Sequence, residues 1–290
     1  MLSVVVVTNR IGGLDALFAG LREQTHQDFE LVLVDELTER APVSSSFRMR
    51  HLYQQGAKRW GNYMVSLNAA LRSSTGDRLV FWSDYTCPHP ETLATHAAFH
   101  DFHGPLDVML GGIEYTETPP LHRDFPRRYG WSAIGHDVAN HREETYAPWL
   151  DDKRRHELYE EWRVAYERDL ADGTLRPFMW STFARPVDSW DDVASLRCFN
   201  HDRRDTSPFL NLKNDSIPRA LLEKIGGFDE RADGCHGHQD SITAKALARA
   251  GARLHSVPEN PVRVLDAHNI AIVRRMERND DANLAIYNAG

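Results

Sequence analysis

The 290-residue chain has no apolar run long enough to cross a bilayer; stretches such as Leu2 to Val7 and Leu31 to Val34 fall far short of the roughly 20 residues a spanning helix needs. Cysteine is scarce. Cys87, Cys198 and Cys235 are odd in number, widely scattered and without C-x-x-C spacing, so neither a disulfide framework nor a zinc site built on cysteine is expected. An excess of positive charge is also missing. With 34 Lys and Arg against 42 Asp and Glu, the formal charge of -8 gives no global attraction to nucleic acid or anionic lipid, which leaves only a local basic patch open. The first residues lack a basic stretch followed by a long apolar segment and do not read as a secretory leader, so a cytoplasmic address is expected. What is plentiful is core-forming material: 41% hydrophobic residues suffice for one large α/β domain or two small ones.

Leu2 to Thr8 is a continuous β-branched run, the pattern of a strand covered on both faces. Gly12 and Gly13 mark a turn, Leu14, Leu17, Phe18 and Leu21 recur at helical spacing, and Phe29 to Asp35 is a second strand ending in acids. After a Ser-rich loop, Met64, Leu67, Ala70 and Leu71 mark an amphipathic helix, and Asp77 to Trp82 a further strand running into Ser83-Asp84-Tyr85. Alternating strands and helices with polar residues at the strands' carboxyl ends predict an α/β fold with an open, mostly parallel central sheet flanked by helices. Ligands of such sheets bind beyond those ends, which places the chemistry near Thr8, Asp35 and Asp84. The stretch from about Thr116 to Asp205 differs, being dense in Arg, Asp, Trp, Tyr and Pro with one helical piece from Asp151 to Ala171. The organisation expected is a nucleotide-sugar-binding half (1–115), an inserted acceptor or lid region (116–206) and a second half of the same domain (207–290). The last carries helices from Pro218 to Ile225 and from Asp240 to Ala250.

Two places carry the chemistry. Asp84 follows an apolar strand and precedes the rigid turn Cys87-Pro-His-Pro90, so it can present a hard oxygen ligand at the sheet edge, or serve as a turn former or cap. The second place begins at Asn214-Asp-Ser216, continues through Ile225-Gly-Gly-Phe-Asp-Glu230 and ends with Gly234-Cys-His-Gly-His-Gln-Asp240 leading into a helix. Small-residue turns ahead of an acid deliver Asp240 into a cleft, where it can act as a general base, or it only caps the helix. His236 and His238 read as acceptor-contacting or surface residues more readily than as metal ligands. His268, at the end of a strand-like run, is a ligand candidate or a structural histidine.

Taken in order, Ser3-Val-Val-Val-Val-Thr-Asn9, Phe29 to Glu36, Gly76 to Asp84, Pro88 to Leu93, Ile225 to Glu230 and Gly237 to Asp240 resemble the family 2 glycosyltransferases of the Rossmann-like GT-A fold. The resemblance spans residues 1 to about 115 and 207 to 268. It implies that Thr8, Asn9 and Asp35 hold the nucleotide's base and ribose, with Asn68 in the block beside them. It further implies that Asp84 binds Mn2+ or Mg2+ together with His268, and that Asp240 is the base of an inverting transfer from a nucleoside diphosphate sugar such as a UDP-sugar. Two departures stand out: the metal motif reads Ser83-Asp84-Tyr85, with one acid where two or three are usual, and the Glu-Asp pair is Gln239-Asp240.

A nucleotidyltransferase would carry a Gly-rich basic loop after the first strand, and Thr8 to Gly13 has one Arg and no Lys. A non-catalytic nucleotide- or sugar-binding module stays open because of Ser83 and Gln239. The acceptor is left among a glycan, a small molecule and a modified nucleobase in DNA. Arg127 and Arg128, within the cation- and aromatic-rich run His122 to Trp131, are candidate acceptor contacts, along with Asn214, His236 and His238.

Overall fold

The computed structural model describes residues 1–8, 14–36, 45–54, 63–84, 86–116, 190–191, 210–233, 238–265 and 280–289. The expected lid and its helix lie almost wholly outside the described residues, as do Asn9, Arg127, Arg128, His236 and His268. The strands are β1 (Leu2–Thr8), β2 (Phe29–Asp35), β3 (Met49–Tyr53), β4 (Arg78–Ser83), β5 (Thr86–Pro88), β6 (Asp107–Thr116), β7 (Asn214–Pro218) and β8 (Arg253–Leu265). Among the described residues the helices are α1 (Leu14–Arg22), α2 (Tyr63–Ser73), α3 (Thr92–Phe102), α4 (Arg219–Lys224), α5 (Gln239–Arg249) and α6 (Asp280–Ala289), with a 3-10 turn at Glu230–Ala232.

The strands form one sheet in the order β3-β2-β1-β4-β7-β6-β8-β5. β1, the most apolar strand, lies between β2 and β4 and is parallel to both. Its alternate residues feed two layers, which is why its run is unbroken. Leu2, Val4 and Val6 pack with Leu14, Leu17 and Leu21 of α1 and with Trp82. Val5 packs on the other face with Met64 and Leu67 of α2, Phe81 and Leu247 of α5. Fully burying each such side chain contributes about 1.5–3 kcal/mol.

The sheet is more mixed than the sequence pattern suggested. β7 is antiparallel to both β4 and β6, and β5 is antiparallel to β8, while β6 and β8 run parallel. The reason is connectivity: β7 enters after the long middle segment rather than through a short crossover helix, so no right-handed β-α-β unit fixes its direction.

Two polar clamps join the chain's first and last thirds. Asp233 accepts hydrogen bonds from the Met64 and Val65 amides (2.7 and 2.9 Å) and so caps α2 from outside its own sequence. Asn68, in the middle of α2, accepts from the Phe228 amide (2.8 Å) and donates to the Phe228 carbonyl (2.9 Å) and to Glu230 Oε1 (2.8 Å). The turn it holds needs glycine: Gly227 has φ +85°, and a Cβ there would meet Asn68 Oδ1 at 2.5 Å.

Candidate functional site

Because β1, β2 and β4 are parallel and in register, Thr8 lies opposite Asp35 and Val7 opposite Ser83, which puts Thr8, Asp35 and Asp84 on one carboxyl edge. The Thr8 hydroxyl donates to Asp84 Oδ2 at 2.7 Å, and both residues are buried. Asp35 is buried with His51 Nε2 3.3 Å from its Oδ2. The Glu36 amide donates to the Thr8 carbonyl (2.9 Å), and Ser66 of α2 donates to Glu36 Oε1 (2.9 Å).

β7 begins at this same edge, since Asn214 pairs with Trp82 near the end of β4. The next residue, Asp215, faces Phe81 and the α2 layer. Its Oδ2 accepts from the Asn211 and Leu212 amides, both at 2.8 Å, while its buried Oδ1 has no hydrogen-bond partner among the described residues. Burial pushes the carboxyl up to about 7 against the lowering by those amides, and the charge of Asp240 raises it further. Leu212 adopts φ 53° in making this loop.

Asp240 is the second residue of α5; its charge bears on Asp215, and that of Lys213 bears on it. The residue as a whole is half-buried, yet its carboxyl is enclosed enough that burial pushes it up to about 6, with Lys213 pulling the other way. A helix N-terminus alone would favour the ionised form and lower it; here desolvation outweighs the dipole. The capping position belongs to His238, at φ 60° and without a side-chain cap bond, so Asp240 is not the residue that caps α5. His238 stacks on Tyr287 of α6 at 6.0 Å, and Lys245 donates to the Tyr287 carbonyl at 2.6 Å.

Of the three asparagines expected to meet ligands, Asn9 lies outside the described residues, and Asn68 and Asn214 make hydrogen bonds within the fold. Asn68 holds the Phe228 turn. Asn214 is fully buried: its Oδ1 accepts from Trp82 Nε1 and lies against His96 Nε2 (both 2.9 Å), and its Nδ2 donates to the Gly112 carbonyl (2.8 Å). Asp215, one residue along, is the group that bears on Asp240, and sequence reading passed over it in favour of its neighbour. Strand alternation is the signal that separates them, because adjacent residues of β7 must face opposite layers.

Another group of ligand-type side chains lies at the opposite, amino edge, where β6 and β8 begin: His103, Asp107 and His255 bring their ligand atoms within 4.8 Å of one another. His103 follows α3, whose His96 and His100 both reach Ser216 Oγ at 2.8 Å. Burial lowers those two rings to about 4 and about 3, so both are neutral near pH 7. The helical stripe His96, His100, His103 was visible in the sequence; its convergence with His255 was not.

No protein-family model matches the chain. Over 98 residues it is 36% identical to an uncharacterised glycosyltransferase of Haemophilus influenzae, and the match covers 31% of this chain and 31% of that protein. Among solved structures it resembles the mannosyltransferase PcManGT of Pyrobaculum calidifontis, determined with GDP-Man and Mn2+, at a TM-score of 0.50 and 17% identity. It also resembles S. aureus TarS at a TM-score of 0.50 and 13% identity. These likenesses cover 100% and 99% of this chain but 64% and 42% of the two solved ones. No helix among the described residues is long and apolar enough to cross a membrane. The chain thus shares its fold with a mannosyltransferase of known structure and a stretch of its sequence with an uncharacterised glycosyltransferase.

Proposed function

We propose that the protein is an inverting glycosyltransferase, which transfers a sugar from a UDP-sugar or related nucleoside diphosphate sugar to an acceptor hydroxyl. The reading is supported by Thr8, Asp35 and Asp84 standing together on one carboxyl edge of the sheet, and by Asp240 in the first turn of α5 with its carboxyl raised to about 6 by burial. A base that ionises near 6 is charged at neutral pH yet still basic enough to accept a proton from a hydroxyl in the transition state.

A divalent metal is part of the proposal. The residues present fit a hard cation of modest affinity: Asp84 would offer an oxygen ligand at the strand end, oriented by the Thr8 hydroxyl, and the Thr86 hydroxyl two residues on is buried without a hydrogen-bond partner among the described residues. When bound, Mg2+ or Mn2+ supplies positive charge against the departing diphosphate. Asp35 and Thr8 hold the nucleoside at the edges of β2 and β1. Asp240 takes the acceptor proton as the hydroxyl oxygen attacks the anomeric carbon and the sugar–phosphate bond breaks, in one displacement that inverts configuration. Asn9, His268, His236, Arg127 and Arg128 are carried in the proposal as donor, metal and acceptor contacts by their place in the sequence alone.

The test is donor turnover. With manganese present, UDP-sugars and GDP-mannose are incubated with the protein and release of nucleoside diphosphate is followed. Slow hydrolysis of one donor, lost in Asp240→Asn, supports the reading. Binding of a donor with no release by wild type, even with candidate acceptors supplied, would make the chain a binding module.

A further inference from the structure

The group at the amino edge has no role in the transfer just described, and its architecture is that of a ligand set. Asp107 opens β6 and His255 is the third residue of β8; the two strands are parallel neighbours with Asp107 opposite Arg253, so both side chains rise from one rigid ladder. His103 ends α3 and stacks on Phe99 with ring centroids 4.1 Å apart and planes 20° apart, which fixes its ring. His103 and His255 face each other with centroids 4.7 Å apart. Asp107 is oriented from behind: the Gly104 amide donates to its Oδ2 (2.7 Å), and Arg253 donates to both oxygens (2.7 and 2.6 Å). Orienting bonds of this kind around a carboxylate are what a metal ligand requires.

We propose that His103, Asp107 and His255 form a binding site for a zinc-class divalent cation at the amino edge of the sheet, separate from the edge assigned to the sugar nucleotide. Two imidazoles and one carboxylate are the ligand types that zinc takes, and three protein ligands leave a fourth position for water. The fit needs only local adjustment. His255 Nε2 donates to Asp107 Oδ1 at 2.7 Å, whereas tetrahedral zinc with bonds of ~2.0–2.1 Å holds its ligand atoms roughly 3.3 Å apart. An ion entering here replaces the His255–Asp107 hydrogen bond, with His255 offering Nε2 to the ion as the tautomer protonated at Nδ1. Access is open, since the Arg253 and His255 side chains are 64% and 34% exposed. Arg253 opposes the incoming charge and keeps the affinity below that of a site without a neighbouring cation. The ion would tie the end of α3 to β6 and β8.

The experiment is a titration of the tag-free full chain with cobalt(II), a spectroscopic stand-in for zinc, at neutral pH, read by d–d absorption and by competition with zinc. The expected result is one equivalent of four-coordinate cobalt, displaced by zinc, with the thermal midpoint raised in the bound form. His255→Gln is the decisive variant. Its amide can still donate to Asp107, so a purely structural role for the His255–Asp107 bond is preserved, while the proposal requires cobalt affinity to fall by about 100-fold or more. His103→Gln, which forms no described bond to Asp107, should fall equally. Absence of four-coordinate absorption in wild type, or affinity unchanged in both variants, overturns the site.

Discussion

Asp107 and Asp215 have the same side chain and the same 1% exposure in neighbouring strands of one sheet, Asp107 opening β6 and Asp215 pairing three residues further along it, yet their carboxyls are displaced in opposite directions. At the amino edge, Asp107 is held well below the usual carboxylate range, first by the Arg253 hydrogen bonds and then by His255 and the Gly104 amide, which outweigh its burial. Further into the sheet, Asp215 has two neutral amides on one oxygen and, among the described residues, nothing on the other, and burial carries it up to about 7. Depth and donors together decide the direction: Asp107 lies near the surface beside the exposed Arg253, and Asp215 lies between β4 and β6 with only neutral donors. The amino edge is a satisfied network that favours charge. Around β7 and the start of α5, by contrast, Asp215 and Asp240 are raised to about 7 and about 6, values at which a carboxyl exchanges its proton close to neutral pH.

The largest expected effect falls on Asp240. Asp240→Asn keeps shape and helix while removing proton acceptance, and should lower kcat on the order of 10²-fold or more. Donor affinity by calorimetry and the thermal midpoint should be nearly unchanged. In wild type the rate should fall about tenfold per pH unit below about 6, where Asp240 becomes protonated, and level off above it. A flat profile from pH 5 to 8 in the chemical step would remove Asp240 from the role.

Next comes the amino edge. Asp107→Asn leaves Arg253 and His255 without their carboxylate and should cost about 1–3 kcal/mol of stability at neutral pH, measured by urea unfolding. A carboxyl lowered in the folded state contributes stability that is present above its unfolded value near 3.9 and lost as the pH falls through its folded value. The difference between wild type and variant should therefore shrink towards strongly acidic pH.

Asp215→Asn should act with the opposite sign and more weakly. A carboxyl raised in the folded state contributes stability that is full below its unfolded value and lost as the pH rises through about 7. The neutral amide escapes that loss, so the variant should be more stable than wild type above pH 7 by on the order of 1 kcal/mol, less than the shift alone implies because a charged Asp215 can relax towards water. If Asp215→Asn destabilised at pH 8 as it does at pH 5, the two carboxyls would not differ in the way described. The smallest effect is expected of Gln239→Glu, which should change turnover only a few-fold, because the neighbour of the base is not itself a proton acceptor in the proposed step.

Much of this contrast was hidden in the sequence. The unbroken run from Leu2, the acids ending β2 and the helix starting at Gln239, one residue from its expected start, were legible because local periodicity and turn residues carry them. The direction of β7 was not, because strand pairing across the long middle segment is a tertiary outcome. Asn68 and Asn214 read as ligand contacts because a polar residue in a motif looks alike whether its amide faces a cleft or a turn. Only the fold shows Asn68 bonded to Phe228 and Asn214 to Trp82. His103 and His255 come from separate elements, and nothing in their local sequence announces that they meet.

The Asn68 clamp has a consequence for how chains of this kind are recognised. A Gly-Gly-Phe-Asp signature looks like part of a reaction centre, yet at positions 226 to 229 its glycine clears Asn68 Oδ1 and its Phe228 backbone is gripped from both sides by the same amide. It is a seam between two parts of the scaffold. Selection for folding alone would preserve it, so a descendant that had lost Asp240 and all turnover would still carry the signature, and would be misfiled as an enzyme by any search that weighted those four residues.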